Sequence, residues 1–140
     1  MALNLLFLMA LILPFQGSAS ADFSQSESLT NPLPACPDSP NCTRHSENFN
    51  TSIDTLFSAV KKVFEQIDPH EYIVKENEYS INAVFRIPIF GFKDDVEILL
   101  KPDGDNSVLH IRSASRVGHS DLGVNRRRVQ KILTDIKTNL

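Results

Sequence analysis

Between residues 53 and 114 the spacing of the apolar side chains changes period, and that change leaves few architectures open. Ile53, Leu56, Phe57, Val60, Phe64 and Ile67 fall at offsets 0, 3, 4, 7, 11 and 14, the spacing of one helical face. Thr51 and Asp54 stand in capping-box relation at the start of this run, and Pro69 ends it. The period then drops to two. Tyr72 to Val74 is a short apolar run, and Ile81, Ala83, Phe85 and Ile87 alternate with Asn82, Val84 and Arg86 as in a half-buried strand. Pro88 to Gly91 turns the chain, Phe92 to Leu100 reads as a third strand, and Pro102, Asp103 and Gly104 make a hairpin turn into a fourth, Val108 to Ala114. Helical spacing returns with Val129, Ile132, Leu133 and Ile136, behind Asn125, whose side chain is expected to cap that helix. Each element has a single apolar side to bury. The expected fold is therefore α+β, a four-stranded antiparallel sheet with two amphipathic helices packed on one face, and 140 residues leave room for one such core.

Residues 1–21 carry no charged side chain, run almost continuously apolar from Leu5 to Leu13, break at Pro14 and end in small residues. The run is too short to cross a bilayer as a helix, and Ala19 and Ala21 suit cleavage before Asp22. Residues 1–21 thus read as a signal peptide, and the chain is expected to be exported, either periplasmic or secreted. No later stretch approaches the roughly 20 apolar residues of a spanning helix, so no stable membrane span is expected after cleavage, and the sequence shows no surface mechanism for membrane contact. Residues 22–50, rich in Ser, Asn and Pro, read as an extended arm, and residues 51–140 as a single α+β domain.

Cys36 and Cys42 bracket the run CPDSPNC. In an exported chain two thiols this close are expected to pair as a structural disulfide, and the spacing is not the two-residue spacing of thiol oxidoreductases. Closing so small a ring is worth about 2 kcal/mol.

A formal charge of -3 and a pI near 5.7 argue against a nucleic-acid partner. The charge is divided unevenly. Residues 112–140 hold seven Arg or Lys against Asp121 and Asp135, while residues 22–111 hold seven against fifteen acids. The centre of the basic part is RSASRVGHSDLGVNRRR, Arg112 to Arg128, where a strand leaves the sheet through a Gly-containing loop and enters a helix N-terminus. Backbone N–H groups and the positive end of a helix favour an anion there. Arg112, Arg116 and Arg126 are the candidate grips, Ser113 and Ser115 add hydroxyls, and Asp121 and Asn125 complete the candidate ligand-binding set. Alternation puts Arg112, Ala114 and Arg116 on one side of the strand and Ser113 and Ser115 on the other. Arg112 and Arg116 have a competing use as internal partners of Asp94, Asp95, Asp121 or Asp38, pinning loop and arm to the domain. Asp94 and Asp95 point oppositely if they lie in a strand, and the four His residues show no metal-ligand spacing, so no metal and no cofactor are expected. Ser115, His119 and Asp121 contain the residue types of a hydrolase triad without a GxSxG elbow, and no catalytic residue is assigned.

Taken together, CPDSPNC, Asp94-Asp95-Val96-Glu97 and RSASRVGHSDLGVNRRR resemble the domain-of-unknown-function family numbered 1499, over about Cys36 to the C-terminus. The resemblance implies a small envelope-associated or organelle-lumenal domain with no established activity. His119 stands where the family pattern leads one to expect Tyr, which weakens any catalytic role for it. The functional expectation is a monomeric, non-enzymatic exported domain that binds a small anionic ligand or an envelope protein through its Arg-rich strand-to-helix junction. The alternatives are a hydrolase or transferase using Ser115 or Asp121, and a purely structural envelope protein whose polar motif joins arm to domain.

Overall fold

A computed structural model describes residues 30–140. The expected signal peptide, its cleavage point between Ala21 and Asp22, and the start of the arm lie outside the described residues. The elements run β1 (Cys42–Phe49), α1 (Ile53–Ile67), β2 (Glu71–Lys75), β3 (Ser80–Arg86), β4 (Lys93–Asp103), β5 (Asn106–Ser115) and α2 (Val124–Thr138), with one 3-10 turn over Glu76–Glu78. The strands form one antiparallel sheet in the order β1-β5-β4-β3-β2. The fold is α+β with two helices and an open sheet, as expected, but the sheet has five strands, not four.

The additional strand is β1, inside the stretch that composition assigns to an arm. Its sequence CTRHSENF hides the alternation that marked the others. Thr43, His45, Glu47 and Phe49 sit opposite Ser113, Ile111, Leu109 and Ser107 and so share the helix side of the sheet, yet only Phe49 is apolar. An edge position makes this tolerable, because polar tips there reach water or the flank of a helix. Glu47 does the latter and pairs with Lys137 of α2. Its carboxyl is held below the ordinary range by its hydrogen bond to His45 and by Lys137, against the opposing effect of burial.

The core follows the two periods. Leu56, Val60, Val63 and Phe64 of α1, Val129, Ile132 and Ile136 of α2, and Ile81, Val96, Ile98, Leu100, Leu109 and Ile111 of the sheet are buried together. The start of α1 differs from the capping box read around Thr51 and Asp54. Ser52 is the N-cap, its hydroxyl accepting from the Thr55 N–H, and Asp68 closes the helix in the left-handed region one residue before Pro69. Asn125 is likewise not the cap of α2. It lies within the helix, which begins one residue earlier.

The second face of the sheet carries no helix. Across all five strands Arg44, Arg112, Glu97, Asn82 and Ile73 stand in register, and beside them Cys42, Ala114, Asp95, Val84 and Glu71. The arm comes down at the β1 edge, where the Asn31 amide donates to the His45 carbonyl at 3.0 Å.

Candidate functional site

Alternation along β5 divides the candidate residues between the two faces of the sheet. Ser113 and Ser115 point to the helix side and meet Asn125, which is fully buried in the first turn of α2. The Asn125 Oδ1 accepts from the Ser113 hydroxyl and from Nη1 of Arg128 at 2.8 Å. Its Nδ2 donates to Ser115 Oγ at 2.9 Å, to Asp121 Oδ2 at 2.7 Å and to the Asn41 carbonyl at 3.1 Å. Nη2 of Arg128 continues to Asp94 Oδ2 at 2.7 Å, and its guanidinium lies over the Phe85 ring, 4.7 Å from the centroid. Asp94 is completely buried, and its Oδ1 meets no donor among the described residues.

Asp121 takes the capping role that Asn125 leaves. Its carboxylate accepts from the N–H groups of Gly123 at 2.8 Å and Asn125 at 2.7 Å, satisfying donors at the start of α2. Burial alone would raise its pKa; the bonds from Asn125 and Gly123 outweigh burial, and the result is below the carboxyl's ordinary 3.8. Asp121 therefore contributes stability that is fully present above 3.8 and lost as pH falls from there through the lower folded value. In thermal denaturation the melting temperature of the wild type is expected to exceed that of Asp121→Asn at neutral pH, with the gap narrowing below the ordinary value. A gap that does not change with pH would show that the charge at this position contributes nothing.

The same network fixes the cysteine ring. A disulfide joins Cys36 and Cys42. Next to it Asn41 donates through Nδ2 to the Gly118 carbonyl at 2.6 Å, and its own carbonyl accepts from the Ser115 N–H at 3.0 Å. Ring, loop and helix N-terminus are thus held by one set of bonds.

The open side of the sheet holds the other half of the motif. Arg112 reaches Glu97 at 3.0 Å, and Arg116 grips Asp95 with two bonds of 2.9 and 2.7 Å, which raises the pKa of that guanidinium. Arg44 stands directly opposite Arg112 and donates to the Asn31 carbonyl of the arm. The Nε atoms of Arg44 and Arg112 are both buried and meet no acceptor among the described residues. Beside Arg112 lies a solvent-open trough of about 510 Å³, lined by Pro34, Ile73, Asn82, Glu97, Arg112 and neighbouring residues. Its carboxylates are each matched by a cation, Glu97 by Arg112, Asp95 by Arg116 and Glu71 by Lys93 at 3.7 Å, while Arg44 has no carboxylate partner among the described residues. The trough lining itself holds three carboxylates and one cation, Arg112, and the surplus on this face becomes positive with Lys93, Arg116 and Arg44 around it. It also reaches His110, whose imidazole pKa is lowered by burial and by Lys101 and Arg44, and which bonds to Ser46 at 2.7 Å.

Arg112 and Arg116 are therefore brought to one face, while Ser113, Ser115, Asp121 and Asn125 are brought together on the other. Arg126 joins neither group; it is exposed on α2. Among the described residues no hydrogen bond links His119 to Ser115 or Asp121, and no group of three or more His, Cys, Asp or Glu could hold a metal ion. Sequence reasoning did not single out Arg44 or Arg128 for these roles, and it offered Asp94 as an internal partner of Arg112 or Arg116 where the partner is Arg128. Asp94 had a legible signal, since it shares the parity of the buried Val96 and Ile98. Arg44 had none, because the strand that carries it was not legible.

The sequence profile described as "Protein of unknown function (DUF1499)" matches residues 32–136. No curated protein is similar to the chain. Among solved structures, CalU16 from Micromonospora echinospora is 13% identical, with 68% of this chain and 74% of that one covered and a TM-score of 0.41. An uncharacterized protein from Bacillus thuringiensis is 11% identical, covering 71% and 95%, with a TM-score of 0.37. A START superfamily protein from Mycobacterium smegmatis is 16% identical, covering 70% and 90%, with a TM-score of 0.33.

Proposed function

The chain belongs to the DUF1499 family of proteins of unknown function, and from that premise we propose that it is an exported, non-enzymatic binding domain that takes a small anionic ligand, or an anionic group of a partner, on the open face of the sheet. The observation that carries this reading is the pair Arg44 and Arg112. Like charges directly opposite across strands repel, and a buried guanidinium N–H without an acceptor costs free energy. The repulsion is relieved by an anion at the Arg112 end of the trough, where a carboxylate or phosphate meets Arg112 directly and lies in the field of Arg44 on the neighbouring strand, with Glu97 the one carboxylate that serves the pair among the described residues. Relative to the expectation from sequence, the set of grips changes. Arg112 stays at its centre, Arg44 joins it, Arg116 stands at the rim spent on Asp95, and Arg126 is not part of it.

Calorimetric titration with inorganic phosphate, glycerol 3-phosphate and succinate tests the reading. At least one of the three is expected to bind, with affinity falling on the order of tenfold or more in Arg112→Ala, as loss of a charge-assisted bond implies. Equal affinity in wild type and variant would remove the proposal. The buried half of the motif has a different reading, supported by the bonds of Asn41 and Asn125. It holds the cysteine ring to the domain and keeps β5 and α2 in place, which is a structural role.

A further inference from the structure

Eight large apolar side chains are exposed among the described residues, and five of them, Ile89, Phe90, Phe92, Val117 and Leu122, lie in two neighbouring loops at one end of the sheet. Single exposed apolar groups are ordinary, but a cluster on one end marks an interaction surface. The loops are adjacent because the Arg116 N–H donates to the Lys93 carbonyl at 3.0 Å, which sets Val117 next to the strand that follows Phe92. The β3–β4 tip is a built turn. Ile87 N–H donates to the Phe92 carbonyl at 2.8 Å, Gly91 N–H donates to the Ile87 carbonyl at 2.9 Å, and Phe90 and Phe92 stack with centroids 5.6 Å apart. These bonds hold Ile89 out to 87% exposure. Leu122 is 86% exposed and sits at φ +54°, a left-handed conformation that a leucine adopts at a cost, with its side chain in water.

The charges around this end leave a positive surplus, even against Asp38, which is exposed in the cysteine ring bonded to the same loop and has no cation partner among the described residues. Asp94 is taken by Arg128, Asp95 by Arg116 and Asp121 by the N–H groups of α2. Arg86, Arg126 and Arg127 have no carboxylate partner among the described residues; Arg127 reaches only the Leu122 carbonyl, at 2.9 Å, and so stays beside the apolar tip. An apolar and aromatic tip bordered by cations matches a surface that is anionic outside and hydrocarbon beneath. We propose that this end of the domain docks on a bilayer carrying anionic headgroups, with Ile89, Phe90 and Leu122 entering the interface and Arg126 and Arg127 at headgroup level. Among the described residues no helix is long and apolar enough to cross a membrane, so the contact is peripheral. This surface shares no lining residue with the trough beside Arg112 and does not depend on it.

The chain has no Trp, so Phe90→Trp in the full chain places a single reporter in the tip. Its emission is expected to shift to shorter wavelength on vesicles of phosphatidylcholine with phosphatidylglycerol and to stay unchanged on phosphatidylcholine alone. Adding Arg126→Glu with Arg127→Glu should raise the lipid concentration needed at least tenfold, and added salt should act in the same direction. Ile89→Ser, in an exposed turn that leaves the core untouched, should weaken the response as well. No shift on anionic vesicles, a shift indifferent to these three substitutions, or a shift that appears with protein concentration in the absence of lipid would overturn the proposal, the last in favour of a second copy of the chain.

Discussion

Arg128→Met is expected to lower stability by about 3–5 kcal/mol, the cost of breaking a buried ion pair from one side. In a domain of this size that is a fall in melting temperature of at least roughly 12 °C. The reason is Asp94. Its side chain is fully buried, Arg128 supplies its one ion pair, and its other oxygen already lacks a donor among the described residues. Removing the guanidinium strands a carboxylate under Phe85 and α2. Combining Arg128→Met with Asp94→Leu should recover much of the loss, since an apolar pair needs no desolvated charge. A double variant as unstable as the single one would show that the stranded charge is not the cause.

Asn125→Ala is expected to cost about 2–4 kcal/mol, because several buried polar groups lose their partner in one step. Ser113, Ser115, Arg128 and the Asn41 carbonyl all bond to its side chain. Part of this loss should be shared with the disulfide, since Asn41 is adjacent to Cys42 and its carbonyl receives the Asn125 amide. Replacing both cysteines by serine should therefore destabilise the Asn125→Ala protein by less than it destabilises the wild type. Thermal denaturation of the four proteins measures the coupling, and strictly additive losses would show that ring and helix are held independently.

How much of this was legible varies with how strongly burial writes itself into residue type. Both helices and three strands follow from apolar spacing, because Ile53 to Ile67 and the alternating residues of β3, β4 and β5 are the side chains that fill the core, while β2 is read from the short run Tyr72 to Val74, of which Tyr72 and Ile73 are exposed. β1 is not legible, since its inward positions include Thr43, His45 and Glu47 and the strand is specified by pairing with β5 rather than by its own pattern. At the site, alternation correctly separates Asp94 from Asp95 and Ser113 from Arg112. It does not tell which of Arg126, Arg127 and Arg128 turns inward. The answer depends on where Asp94 and Phe85 lie on neighbouring strands, which is a tertiary fact. The apolar tip was equally invisible, because the two loops that form it are 24 or more residues apart and read separately as ordinary turns.

The strand order also dictates a sequence of events in a chain delivered N-terminus first. β2 to β5 can zip up as successive hairpins from near neighbours, whereas β1 must wait for β5, its one strand partner among the described residues, before it can be secured. The strand made first is thus the last to be paired. Until β5 has been made, late in the chain, β1 waits without its partner and β4 presents an open edge, so the interval in which a passing strand could intrude falls during synthesis.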